Sequence, residues 1–342
     1  MRFCVLGAGA WGTGIAIHIA RRGHQVVLVP RRVEQARKLA KERENRRYLK
    51  GCRIPEEIWI TSDLAEGIEG SEIVLMACPS KGLRDSCWNL REMGNAIRNV
   101  EIVLSLCKGI ELETHLLSAE VISDVLPGTR VGVLSGPTYA KEVAIGQPSA
   151  VVFAVSKHDA YSLSIQEAMS DRSLRVYTNE DLRGVELGAC LKNVYAIAAG
   201  ICDGLGFGDN AKSALLTRSL AEMVRLGVAL GGQLSTFYGL SGFGDLAATC
   251  NGEWSRNRTF GRMIAEGQCL ESLLSKENMT VEGYHSTHCF YSICKDKNLE
   301  SPILDEVFGV LYQGKDVREV LQSLMGRSLK PEKHDPDDFQ NH

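Results

Sequence analysis

The chain has 342 residues, a length that suggests two domains of ordinary size. It is 44% hydrophobic and 24% charged, with a formal net charge of −3 and no long basic block, which argues against nucleic-acid binding as its main task. No apolar stretch approaches ~18 uncharged residues, so no membrane span is expected. The eleven cysteines are scattered, odd in number and without a C-x-x-C pair. They read as reduced, mostly buried thiols in a cytoplasm, and no metal site is expected.

The N-terminal stretch carries the strongest signal. An apolar run at residues 3–6 predicts a buried first strand, and residues 11–22 predict the helix that follows. Between them Gly7, Gly9 and Gly12 fall in the G-x-G-x-x-G spacing. Gly7 permits a tight turn, Gly9 lets the backbone approach a pyrophosphate, and Gly12 lets helix and strand pack closely. Because the strand starts at once, a signal peptide is not expected. A second strand is predicted over 26–29. Where many NAD-binding folds end that strand with an acidic residue, this chain has Pro30, Arg31 and Arg32. Arginines there pair with a 2′-phosphate, stack on adenine or are solvated surface residues. Acceptance of NADP(H) is therefore expected, with NAD(H) not excluded.

Further strands are predicted over 73–77, 102–106, 130–134, 150–155 and 174–177, with helix-prone segments such as 33–48 between several of them. Repeated β-α alternation predicts a Rossmann-like, doubly wound parallel sheet covered on both faces. Residues just past strand C-termini line the ligand crevice of such a sheet. Lys108 follows the fourth predicted strand, and Gly136 and Thr138 follow the fifth. The alternatives are a solvated loop lysine and an ordinary turn.

After about residue 180 the pattern becomes helical. Leu187, Leu191, Val194, Ala198 and Ile201 recur at helical spacing, and 213–230 and 304–324 look helical too. The expected domains are 1–183, a dinucleotide-binding unit, and 184–326, an all-helical catalytic unit. A polar tail at 327–342 is expected to be disordered. Within the helical half, Lys192 has Gly188, Ala196 and Ala199 on its own side. A lysine sheltered by small neighbours loses hydration and moves toward a useful acid-base range; the alternative is a lysine that snorkels to the surface. Asp245, inside an expected glycine-rich loop at 239–246, either orients Lys192, binds a hydroxyl or is a turn aspartate. Ser255, Arg256 and Asn257 offer a hydroxyl, a cation and an amide that suit a phosphate monoester, or Ser255 is a helix N-cap.

Taken together these segments resemble the bacterial NAD(P)-dependent glycerol-3-phosphate dehydrogenases. The matching stretches are G-A-G-A-W-G-T, C-K-G-I, S-G-P-T-Y-A-K-E, E-L-G-A-C-L-K-N-V-Y-A-I-A-A-G, G-L-S-G-F-G-D-L-A-A-T-C, S-R-N-R-T-F-G and V-E-G, in the same order over about residues 1–325. The resemblance implies reversible reduction of dihydroxyacetone phosphate to sn-glycerol 3-phosphate, a phospholipid precursor, with Lys192 as the proton acceptor in the oxidative direction. It implies substrate contacts at Lys108, Gly136, Thr138, Asp245, Ser255, Arg256 and Asn257. It implies cofactor contacts at Trp11, Arg31, Arg32, Lys108, Ala140, Arg256 and Glu282. The sequence departs from the family at Thr138, where serine is frequent, and at Gly14, where alanine is usual. Two other readings remain at this point: a β-hydroxyacid dehydrogenase with its own catalytic lysine, and an NADP(H)-sensing module without turnover. A homodimer is expected only from the frequency of two-fold assemblies.

Overall fold

Alternate side chains of the first strand go to opposite faces of the sheet. In β1 (Arg2–Leu6) Phe3 and Val5 join one buried cluster, and Cys4 and Leu6 join another. In β2 (Gln25–Val29) Val26 and Leu28 divide from Val27 and Val29 in the same way. A strand buried on both faces must be covered on both, which is why these runs are apolar throughout. The remaining strands are β3 (Trp59–Ile60), β4 (Ile73–Met76), β5 (Ile102–Ser105), β6 (Val131–Ser135), β7 (Ser149–Val155) and β8 (Leu174–Asn179). They form one sheet in the order β3-β2-β1-β4-β5-β6-β7-β8. The computed structural model describes residues 1–275, 281–329 and 331–332. The tail expected at 327–342 therefore lies mostly outside the described residues.

Two features of the sheet differ from the expectation. The two-residue β3 was not predicted, because so short a pairing has no periodicity to read. The sheet is also not wholly parallel: β7 runs antiparallel to β6, with Val133 opposite Ala154. The helix between them, Ala140–Ile145, has six residues. It rises only about 9 Å, too little to return the chain along a strand of about 17 Å. The chain therefore re-enters the sheet from the end at which it left.

The chain divides into two compact units. Unit 1 comprises Met1–Lys108 and Leu116–Leu182; unit 2 comprises Gly109–His115 and the chain from Arg183 onward. The segment Gly109–His115, read from the sequence as part of the first domain, belongs to unit 2. There the Cys289 thiol donates to the Glu111 carbonyl.

In unit 1 the helix Ala10–Arg21 covers one face of the sheet with Ile15, Ile17 and Ile19. Gly14 has a packing reason. A Cβ there would lie 2.8 Å from the carbonyl oxygen of Ala140, so the missing side chain lets the helix Ala140–Ile145 approach. That contact offsets the helix-propensity cost of glycine, about 1 kcal/mol. The helical segment expected at 33–48 stops at Glu42, where Arg43 takes a left-handed conformation with φ 50°.

His18 on the same first helix is fully buried. Its Nε2–H donates to the Met169 carbonyl at 2.7 Å, and its Nδ1 accepts from Arg21 at 3.4 Å. The neutral imidazole thus has both nitrogens served. Burial pulls its pKa below the ordinary 6.5. As pH falls, the unfolded chain binds the proton before the native state does, so stability present above the unfolded pKa is lost below it. Between about pH 7.5 and pH 5.5 the melting temperature of the wild type should fall more than that of His18→Gln. The extra loss is expected to reach up to ~1 kcal/mol per pH unit. Parallel melting profiles for the two proteins would exclude this role for His18.

From Arg183 onward, unit 2 is built of helices and their connections among the described residues. Its central helix, Leu182–Gly204, is long and apolar enough to cross a membrane by length and composition, but 94% of that window is buried within the structure. It is a core helix, buried on nearly every side rather than along the single stripe that the apolar rhythm suggested. The helix Asp209–Ala229 spans the predicted 213–230 segment up to its last residue, Leu230, which is the C-cap. The stretch expected to be one helix at 304–324 is two, Pro302–Tyr312 and Val317–Met325, broken where Gly314 takes φ 69° and Asp316 caps the second.

Candidate active site

The glycines of the first turn serve three different needs. Gly7 has φ 110°, and a Cβ there would lie 2.6 Å from the Ala77 carbonyl oxygen. A Cβ on Gly12 would lie 2.0 Å from the Gly7 carbonyl oxygen, so strand and helix touch through that missing atom. A Cβ on Gly9 would meet no protein atom within 4 Å. Open space therefore lies beside Gly9, at the N-terminus of the helix Ala10–Arg21. That helix has no side-chain cap and no acidic residue in its first turn. Its first N–H groups and the positive end of its dipole suit an anion. Beside them, the buried Nε1–H of Trp11 has no partner among the described residues. These features fit a dinucleotide's pyrophosphate and flanking groups. Arg31 and Arg32 follow β2 at exposed positions, and Arg32 is the N-cap of the helix Val33–Glu42.

At the C-terminal ends of β5 and β6 the structure brings Lys108, Gly136 and Thr138 together. The Gly136 carbonyl accepts from Lys108 Nζ at 2.8 Å and from Thr138 Oγ1 at 3.2 Å. Gly136 has φ 138°, and a Cβ there would press on the Ala150 carbonyl oxygen and Val151 Cα, each at 3.1 Å. Only glycine suits that turn. Ala140 begins the next helix and packs against the core.

In unit 2, Lys192 is buried, with 5% of its surface exposed. Its Nζ donates to Asp245 Oδ1 at 2.6 Å and to Thr249 Oγ1 at 2.7 Å. Sequence reasoning anticipated the burial and offered Asp245 as the orienting group; the structure makes that contact, and the carboxylate stabilises the ammonium where solvent cannot. Thr249 was missed. Its signal was available: it stands four residues after Asp245, on the same face of the helix Asp245–Asn251. Thr249 also donates to the Asp245 main-chain carbonyl at 2.6 Å.

The segment 239–246 is not a glycine-rich loop. A π-helical turn, Leu240–Gly244, leads directly into the helix Asp245–Asn251. Its glycines serve close packing: a Cβ on Gly242 would lie 2.1 Å from the Phe237 carbonyl oxygen. Gly188, one turn before Lys192, has the Ser241 carbonyl oxygen 2.9 Å from its Cβ position. The missing side chain of Gly188 thus lets the turn that precedes Asp245 close onto the helix of Lys192. Cys250 is next to Thr249. Burial pushes its thiol up to about 12 against the pull of Lys192, so it stays protonated.

The Ser255–Asn257 trio divides. Ser255 is the N-cap of the helix Arg256–Ala265, accepting from the Arg258 amide at 3.2 Å. Arg256 is exposed. The Asn257 amide is buried; it donates to Asn193 Oδ1 at 2.8 Å and accepts from the Gly283 amide at 3.0 Å. It therefore ties together three helices. Glu282, half-buried, opens the third of these, Glu282–Asp296. Arg258 is held by Asp203 at 2.5 Å.

A glycine-rich turn at the centre of a doubly wound sheet, followed by a helical unit with a buried lysine, defines a nicotinamide-dinucleotide-dependent oxidoreductase. Residues 2–161 match the N-terminal, and residues 181–322 the C-terminal, family model of NAD-dependent glycerol-3-phosphate dehydrogenase. The chain belongs to that family. It is 46% identical over 334 residues to glycerol-3-phosphate dehydrogenase [NAD(P)+] of a Thermoanaerobacter species, covering 98% of this chain and 99% of the relative. It is 43% identical to the enzyme of the same description from Citrifermentans bemidjiense, covering 97% and 98%. Its fold matches the crystal structure of glycerol-3-phosphate dehydrogenase from Coxiella burnetii with a TM-score of 0.90 at 33% identity, covering 95% of this chain and 99% of that one.

Proposed function

We propose that this NAD(P)-dependent oxidoreductase reversibly reduces dihydroxyacetone phosphate to sn-glycerol 3-phosphate, with Lys192 as general acid and base. The observation that carries the assignment is the buried Lys192 held on Asp245 and Thr249. In the reductive direction Lys192 gives a proton to the C2 oxygen; in the oxidative direction it takes the proton back. The bound nicotinamide supplies or receives the hydride. Asp245 holds the lysine in place and keeps its ammonium stable in a buried setting. The positive charge also stabilises alkoxide-like charge on the C2 oxygen.

Lys108, Gly136, Thr138, Lys192, Asp245, Ser255, Arg256 and Asn257 are assigned to the substrate, a small dianion that suits cationic and hydroxyl groups. Gly7, Gly9, Gly12, Trp11, Arg31, Arg32, Ala140 and Glu282 are assigned to the dinucleotide, with Lys108 and Arg256 serving both ligands. The product would feed glycerophospholipid synthesis in the cytoplasm, and the protein would act as a homodimer. Family membership supports this reading over a β-hydroxyacid dehydrogenase.

The test is loss of NADPH absorbance, and separately of NADH absorbance, with purified protein and dihydroxyacetone phosphate. Oxidation dependent on the triose phosphate is expected, and the ratio of rates reports what Arg31 and Arg32 select. Activity on hydroxyacids alone would establish the rival dehydrogenase. Cofactor binding without turnover on any polyol phosphate would establish a sensor.

A further inference from the structure

Two side-chain amides from outside the glycine-rich turn converge on a single carbonyl within it. Gln35 Nε2, on the helix Val33–Glu42, donates to the Ala8 carbonyl oxygen at 2.8 Å. Asn45 Nδ2, in the irregular segment after that helix, donates to the same oxygen at 3.0 Å and to Thr13 Oγ1 at 2.8 Å. Asn45 is buried, with 2% of its surface exposed, and Thr13 is fully buried. The Ala8 oxygen only accepts, so the nitrogen of each amide faces it. Both of its lone pairs are engaged.

Ala8 stands between Gly7 and Gly9. Glycines on either side leave the Ala8–Gly9 peptide plane easy to rotate. The peptide is trans, so its carbonyl and the Gly9 N–H point in opposite directions. Holding the oxygen against Gln35 and Asn45 therefore aims the Gly9 N–H away from them. Donation to the oxygen also polarises that same N–H as a donor. A loop chosen for close backbone approach is flexible by composition, and something outside it must fix it.

We infer that Gln35 and Asn45 are positioning residues for the dinucleotide: they lock the Ala8–Gly9 peptide so that its N–H is set for the pyrophosphate before the cofactor arrives. Neither residue touches the cofactor in this role. The gain is preorganisation, which lowers the ordering cost of binding.

The test uses the full-length protein and two variants, Gln35→Met and Asn45→Ala. Gln35→Met keeps length while removing the donor, at a half-buried helix position. The readouts are dissociation constants for NADPH and NADH by fluorescence titration, melting temperature, and steady-state kinetics with varied cofactor. Each variant is expected to weaken both cofactors roughly tenfold, the loss of about one hydrogen bond's worth of order. The rise should appear in Kd and in the cofactor KM, with kcat at saturating cofactor moving less than about twofold. Unchanged Kd in both variants would overturn the inference. So would a fall in melting temperature with a rise in Kd confined to Asn45→Ala, which marks scaffolding alone. If Asn45→Ala fails to fold, Gln35→Met decides: weakened binding supports the role and unchanged binding excludes it.

Discussion

Replacing Lys192 with alanine is expected to lower turnover by about a thousandfold or more, within the range that a positioned acid-base group supplies. Cofactor affinity should survive, because the glycine-rich turn and Trp11 belong to unit 1 and Lys192 to unit 2. The variant should also melt at a lower temperature. Lys192 and Asp245 are a buried ion pair, with 6% and 3% of their side chains exposed. Removing one partner leaves the other charge uncompensated, at a cost of about 3–5 kcal/mol. The kinetics must therefore be measured well below the melting point, with NADPH binding as the check on folding. Near-normal turnover in protein that binds NADPH would sink the assignment of Lys192. Asp245→Asn keeps an acceptor for the lysine and should lose less turnover than Lys192→Ala.

Gly9→Ala and Gly12→Ala should fail in different ways. A Cβ on Gly9 meets nothing from the protein, and the backbone there, φ −77° and ψ −169°, is open to alanine. The variant should melt as the wild type does, yet bind NADPH roughly a hundredfold more weakly, because the methyl group stands where the anion must approach its donors. A Cβ on Gly12 would fall 2.0 Å from the Gly7 carbonyl oxygen and 2.9 Å from Ala77 Cβ. Overpacking against backbone costs about 1–3 kcal/mol or more. Gly12→Ala should therefore lose several degrees of melting temperature as well as affinity. Calorimetry and fluorescence titration of both variants decide the point. Equal loss of stability in the two would show that the turn does not divide its glycines in this way.

Much of the fold was legible because burial leaves local traces. Apolar runs such as residues 73–76 mark strands covered on both faces, and the G-x-G-x-x-G spacing marks the turn between strand and helix. Where no local trace exists, the sequence reading stopped. The two-residue β3 has no period. The antiparallel entry of β7 depends on how far a six-residue helix can carry the chain. The glycines of 239–246 suggested a loop because glycine is common in loops; here they permit helices to touch.

The site residues follow the same division. Lys192, Asp245, Lys108, Gly136 and the Ser255–Asn257 trio could each be singled out from residue type, position and family resemblance. Which of the proposed meetings occur, and with what further partners, could not. Lys192 and Asp245 are 53 residues apart in the chain, and Gly188 lets the Ser241–Gly242 backbone come close to the helix of Lys192. Thr249 enters only because it shares a helix face with Asp245. Asn257, suited by type to a phosphate, has its amide joined to Asn193 and Gly283. Asn45 reaches the Ala8 carbonyl across 37 residues, with nothing in its neighbours to announce it.

The sequence by itself determined the class of fold, the dinucleotide turn and the identity of the buried lysine, because periodicity and residue chemistry are properties of short segments. The tertiary structure alone decided the direction of β7, the share of Thr249 in holding Lys192 and the anchoring of the Ala8 peptide. Each depends on distances between segments far apart in the chain, and those distances are set by packing, where one missing Cβ brings two backbones within reach.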